Sequence, residues 1–205
     1  MAEGYPVPTA EVSIEIEVKR SRFIGLAGPA PTIEVARAFI DSARERYADA
    51  SHHVYAFEVG HGASVTHGMS DDGEPSGTAG RPALTVVAHH ELGDVIVVIV
   101  RYFGGTKLGT GGLVRAYTQA TQEALAVLPH EMKVEREDLI LRLPYERYDV
   151  CRVALGKWAQ IEVVDESFTD DTRLTLRGPR SDLDGLIAQL VELTAGRLVI
   201  ETPQD

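Results

Sequence analysis

The stretch Val100-Arg-Tyr-Phe-Gly-Gly-Thr-Lys-Leu-Gly-Thr-Gly-Gly-Leu-Val-Arg-Ala-Tyr117 holds the densest chemical signal in the chain. Five of the nine residues from Gly104 to Gly112 are glycine, and the order reads as strand, glycine turn, helix. The first N–H groups of a helix lack intrahelical partners, and the dipole adds positive potential there, a setting that suits phosphate or carboxylate. The candidate anion-binding residues are therefore Arg101, Lys107, Thr110, Gly111, Gly112 and Arg115, the cations adding charge-assisted bonds. Neither a Walker A motif nor G-x-G-x-x-G is present. Glycines that only turn the chain or let backbones approach would give the same composition, so an anion site and a structural turn both stay open on mechanics alone.

A second cluster is Ser70-Asp-Asp-Gly-Glu-Pro-Ser-Gly-Thr-Ala-Gly-Arg-Pro82. Its carboxylates Asp71, Asp72 and Glu74 are oxygen ligands of the kind Mg²⁺ takes, but the spacing is not that of a calcium loop. Acids among glycine and proline most often make solvated turns. His52 and His53 form an accessory candidate beside this loop. On a strand, neighbouring side chains point to opposite faces, so the two cannot share one metal. No H-x-x-x-H spacing, cysteine cluster or G-x-S-x-G elbow occurs, and the lone Cys151 lies in an apolar helical stretch. No catalytic residue, metal site or cofactor is assigned.

Charge narrows the partners. The net charge of −11 opposes indiscriminate binding to polyphosphate surfaces, double-stranded DNA among them. Yet Val95 through Gln122 contains no acid and carries Arg101, Lys107 and Arg115. No apolar run reaches the ~20 residues of a membrane span, and the opening residues lack a signal peptide's basic flank and apolar core. A cytoplasmic protein without membrane contact is expected. Asparagine is absent, and 16 arginines stand against 4 lysines, a bias of heat-stable proteins and of GC-rich genomes alike.

The elements that must position these residues follow from periodicity. Glu11–Val18 alternates as a half-buried strand, and Phe23–Ala27 is a second strand. A helix from Ile33 to Arg46 is capped by Thr32; His53–Val59 is a further strand. Gly60–Pro82 reads as a long loop. Leu84–Ala88 reads as a strand or a helix start. Val95–Val100, unbroken and β-branched, is a central strand buried on both faces, and a helix runs from about Gly111 to Val127. The charged bridge Leu128–Glu137 marks a boundary, dividing the chain into 1–130 and 136–205. Beyond it come strand Asp138–Leu143, helix Tyr145–Lys157, strands Ile161–Phe168 and Arg173–Arg177, helix Ser181–Leu193 and strand Arg197–Glu201. The helix at Ser181 opens with Ser181-x-x-Asp184, like a capping box. The order βαββαβ is ferredoxin-like.

Four motifs in order, Ser21-Arg22-Phe23, Asp49-Ala50-Ser51-His52-His53, Ser70 to Gly80, and Val100-Arg101-Tyr102-Phe103-Gly104-Gly105 through Leu108-Gly109-Thr110-Gly111-Gly112-Leu113-Val114-Arg115-Ala116-Tyr117, resemble the YigZ/IMPACT family. The resemblance implies an α+β fold: an N-terminal domain similar to domain 2 of ribosomal protein S5, and a ferredoxin-like C-terminal domain similar to the last domain of elongation factor G. Eukaryotic members share the first domain and regulate translation by competing for an activator of a kinase acting on an initiation factor. The family supplies no established catalytic residue. The expectation is a translation-associated binding protein docking on RNA, the ribosome or a translation factor through Arg101–Arg115. Two alternatives remain: a Mg²⁺-dependent phosphate-handling enzyme using residues 71–74 and the turn 104–112, and a purely protein-binding module. The acid excess after residue 130 argues against RNA contact there.

Overall fold

The computed structural model describes residues 4–62 and 65–201. The chain divides into two compact units, Tyr5–Lys133 and a second that groups the residues from Val134 onward with Gly4.

The first unit contains, in chain order, β1 (Gly4–Pro8), β2 (Val12–Val18), β3 (Ser21–Pro29), α1 (Ile33–Arg46), β4 (His52–Val59), β5 (Thr66–Ser70), α2 (Gly80–His89), β6 (Val95–Tyr102), α3 (Thr110–Ala126) and β7 (His130–Val134). Five strands form an antiparallel sheet in the order β2-β3-β6-β4-β5. Its centre is β6, and the alternation of side chains along this strand explains its unbroken apolar run. Val95, Val97 and Ile99 pack with Ala83 and Val87 of α2 and Leu113, Tyr117 and Ala120 of α3. Ile96, Val98 and Val100 point the other way, onto Ala36, Ile40 and Ala43 of α1. Helices on both faces leave no solvated side for a polar residue. Thr32 caps α1, its hydroxyl accepting from Val35 N at 3.3 Å.

Of the two readings of Leu84–Ala88, strand or helix, the helix holds: the segment belongs to α2. Two other stretches depart from the expected elements. The supposed loop 60–82 contains β5, an edge strand with three of five residues exposed, so burial imposes no apolar alternation on it. The bridge 128–137 contains β7, paired with β1.

Lys133 of β7 pairs with Asp94, which also accepts from Tyr5 Oη (3.0 Å) and Gly60 N (2.8 Å). Asp94 is 4% exposed. Desolvation alone would raise its pKa, but the bonds from Lys133, Gly60 and Tyr5 outweigh it and hold the carboxyl below its ordinary value. Residues 1–130 expressed alone should therefore melt well below residues 1–134. The shorter piece loses the β1–β7 pairing and leaves the Asp94 carboxylate without its cation. Equal midpoints in thermal denaturation would refute this.

The second unit comprises β8 (Glu137–Leu143), a 3₁₀ turn (Tyr145–Arg147) leading into α4 (Tyr148–Leu155), β9 (Glu162–Phe168), β10 (Thr172–Gly178), α5 (Arg180–Leu193) and β11 (Val199–Glu201). The strand order β11-β8-β10-β9 completes the ferredoxin-like βαββαβ arrangement. Leu141, Leu143, Leu174 and Leu176 pack against Ala154, Leu155, Leu183, Leu186 and Leu190 of the two helices. Alternation puts Arg142, Arg173 and Arg177 on the open face. There Arg142 meets Asp171 and Glu201, Arg173 meets Glu201, and Arg177 meets Asp138. The helix α5 is not capped by Ser181: its N-cap is Pro179, and Asp184 pairs with Arg180 instead. Both units are α+β, like the two domains that the family resemblance implies.

Candidate functional site

The four motifs meet at one buried ion pair. Arg101, near the end of β6, bonds Glu74 of the loop before α2, and their side chains are 5% and 4% exposed. The second terminal nitrogen of Arg101 donates to Ser21 Oγ at 3.3 Å, at the start of β3. From α3, Tyr117 Oη donates to the same Glu74 oxygen at 2.8 Å. Burial, then the neighbouring Glu74 charge, push the Tyr117 pKa far up, so the phenol keeps its proton and remains a donor. Phe23 and Phe103 stack on the guanidinium, with ring centroids 5.3 and 5.7 Å from its central carbon. His52 Nε2 stands 3.9 Å from the Glu74 oxygen, while its Nδ1 bonds the Asp72 carbonyl at 2.8 Å.

This placement changes the role of Arg101. It is no free surface cation; a sequence reading sees its charge but not Glu74, 27 positions earlier. The other loop carboxylates are also engaged by protein donors. Asp71 accepts the backbone N–H groups of Gly77 (2.8 Å), Ala79 (3.0 Å) and Gly80 (2.8 Å), closing the loop onto the start of α2. Asp72 accepts from His53 N at 2.6 Å and pairs with Arg44 at 3.3 Å. The His53 Nε2 atom bonds the Tyr47 carbonyl at 3.1 Å. Among the described residues no group of three His, Cys, Asp or Glu is arranged to hold a metal. The acidic loop and both histidines brace the fold beneath the turn.

Above this brace lies a cavity of about 330 Å³ lined by Glu74, Pro75, Arg101, Phe103, Lys107, Leu108, Gly109, Thr110 and Leu113. The helix α3 begins at its rim. Gly109 (φ 73°) is the N-cap, no side chain caps the helix, and its first turn holds no acid. Its leading N–H groups, at Thr110, Gly111 and Gly112, thus lack intrahelical partners. Of the expected residues, Arg101, Lys107 and Thr110 line the cavity, and Gly111 and Gly112 follow in the first helical turn. Arg115, further along α3, is exposed and not part of the lining.

The glycines divide by cause. A Cβ at Gly104 would collide with the carbonyl of Arg20, so the turn itself requires that glycine. Gly111 is different: nothing lies within 4 Å of a Cβ there, and its φ is not positive. In a helix glycine costs up to about 1 kcal/mol relative to alanine, and no neighbour explains the choice. A bare backbone at the opening of the helix is what an approaching ligand needs.

One cation escaped the sequence reading. Lys19 and Arg20 form the tip of the β2–β3 hairpin, both with positive φ (48° and 67°). Arg20 reaches Thr106 Oγ1 at 2.8 Å, next to Lys107. Its distance of 86 positions from Thr106 hid the contact; the signal available was a Lys-Arg pair between two strand patterns. Arg20 has no acidic partner among the described ion pairs, unlike Arg22, which Glu15 takes at 2.9 Å.

Residues 19–125 match the family described as the Impact N-terminal domain, and residues 141–197 match a domain of unknown function, DUF1949. An IMPACT family member of Haemophilus influenzae is 39% identical over 202 residues, covering 98% of this chain and 97% of the relative. The IMPACT family member YigZ of Escherichia coli K12 is 34% identical over 197 residues, 96% of each chain. A crystal structure of a hypothetical protein, 32% identical, covers all of both chains with a TM-score of 0.72. Together with the motifs gathered around Glu74 and Arg101, these matches place the chain in the IMPACT family.

Proposed function

We propose that this chain is a cytoplasmic, translation-associated regulatory protein that binds an RNA phosphate at the start of α3. The translation half of the reading is supported by family membership, since eukaryotic members regulate translation. Placement in the cytoplasm accords with the absence, among the described residues, of any helix long and apolar enough to cross a membrane. The phosphate half rests on one observation: the uncapped opening of α3, left bare by Gly111 and flanked by Lys107 and Arg20. Helix dipole, free N–H groups and Lys107 belong to the same cavity, and Arg20 is held at Thr106, the residue before Lys107. The buried Glu74–Arg101 pair holds the turn rigid, so little ordering is needed on binding.

Binding of a labelled single-stranded RNA should weaken with salt at a log–log slope of about −2, as three cations (Arg20, Lys107 and Arg115) engaging single-stranded phosphates would give. Arg20→Ala with Lys107→Ala should abolish most of it. Gly111→Ala should weaken binding while leaving the melting temperature unchanged or higher. Arg173→Ala with Arg177→Ala should have no effect, because both arginines are already paired on the second unit. Loss confined to that second-unit pair, or no binding at low salt, refutes the proposal. Arg101→Ala is unsuitable as a binding probe, since its first consequence is to strand Glu74.

A further inference from the structure

We infer that Phe103 is a stacking platform for an unpaired nucleobase, so that the ligand is a single-stranded segment gripped by one phosphate and an adjacent base. This rests on the phosphate reading above and extends it. Phe103 is 52% exposed, the one Phe or Tyr of the first unit that stands so open among the described residues. One face of its ring meets the Arg101 guanidinium, while half of the side chain stays in solvent. The residue directly follows β6 and lines the same cavity as Lys107, Gly109 and Thr110.

Its orientation is fixed from behind. The Phe103 N–H donates to Ser51 Oγ at 3.3 Å, and the Arg101 guanidinium carbon lies 5.7 Å from the ring centroid. A ring anchored by a buried cation pays little entropy when a second ring stacks on it. Arg101, 5% exposed at its side chain, also lines the cavity, and its Nε has no acceptor among the described residues. Pro75, Leu108 and Leu113 complete an apolar wall suited to the flat body of a base.

An aromatic next to a phosphate site discriminates strands. In a duplex the base faces are already stacked and turned away from the phosphates, whereas an unpaired nucleotide offers both at once. The charge of −11 adds no general attraction to compensate, so a duplex, contacting only the local cations, gains less.

Fluorescence anisotropy on the full chain at about 50 mM salt tests this, with a labelled oligouridylate, an RNA duplex of equal length, and inorganic tripolyphosphate as competitor. Phe103→Ala and Phe103→Leu should each weaken oligouridylate binding about 10-fold or more, the effect of losing one stacked base. Competition by tripolyphosphate should be unchanged in both, and Phe103→Trp should restore binding. The leucine variant keeps apolar bulk over Arg101, which separates stacking from folding, and thermal melts verify that each variant is folded. The duplex should bind at least 10-fold more weakly than the single strand. Unchanged oligouridylate binding in Phe103→Leu, with Lys107→Ala still disruptive, overturns the stacking inference and leaves the phosphate site standing. A duplex that binds as well as the single strand overturns it too. Binding of neither RNA nor tripolyphosphate overturns the phosphate reading, and this inference with it.

Discussion

Glu74→Ala should destabilise the first unit by about 3–5 kcal/mol, the cost of leaving a buried charge without its partner. Arg101 would remain 4% exposed, held between Phe23 and Phe103 with no carboxylate to meet its charge. The Tyr117 hydroxyl would lose its acceptor as well, and a buried donor left unmade adds to the loss. Urea denaturation of the full chain, followed by a probe in the first unit, should show a lower midpoint with an unchanged slope. The double variant Glu74→Leu, Arg101→Met should recover much of the loss, because an apolar pair can replace a buried ion pair at little cost. A single-variant loss under about 1 kcal/mol would mean that the pair contributes no more than a surface salt bridge.

The second large effect is expected at Asp71. Asp71→Ala removes the acceptor of three backbone N–H groups, those of Gly77, Ala79 and Gly80, and should cost roughly 2–4 kcal/mol. Its titration gives an independent readout. Desolvation would raise the Asp71 pKa, but the backbone bonds from Gly77, Gly80 and Ala79 together outweigh it and hold the carboxyl below its ordinary value. The unfolded chain therefore binds the proton at higher pH than the folded one, and stability rises with pH across that interval. This contribution is complete above the ordinary carboxylate range of about 4 and fades as pH falls through the folded value. Stability of Asp71→Asn should accordingly depend less on pH below about 4 than that of the parent. Parallel pH profiles would show that Asp71 does not hold the loop.

Much of this architecture can be read from local pattern. Thr32 before an amphipathic run marks the start of α1, and the unbroken Val95–Val100 run marks a strand covered on both faces. The errors lie where tertiary context overrides such signals. The strand β5 has no buried face to impose alternation. At Ser181 the pattern of a capping box is present, but Pro179 takes the N-cap and Arg180 takes Asp184. In the candidate site the glycine turn and its helix are visible in sequence because both are local. Pairing across 27 positions, as between Glu74 and Arg101, or contact across 86, as between Arg20 and Thr106, is not. That is why the buried arginine looked free and the hairpin arginine beside Thr106 went unnoticed.

The sheet order has a kinetic consequence. The middle strand, β6, is the last of its five strands in the chain, so during synthesis β2, β3 and β4 emerge before the strand that joins β3 to β4. Until Val95–Tyr102 is available, β3 and β4 each present an unpaired edge, the kind of surface that templates association with other chains. Joining them requires closure over long sequence separations, which slows folding relative to local pairing. A nascent chain stalled short of Tyr102 would be an aggregation hazard, and one released soon after it would gain the centre of its sheet in a single step.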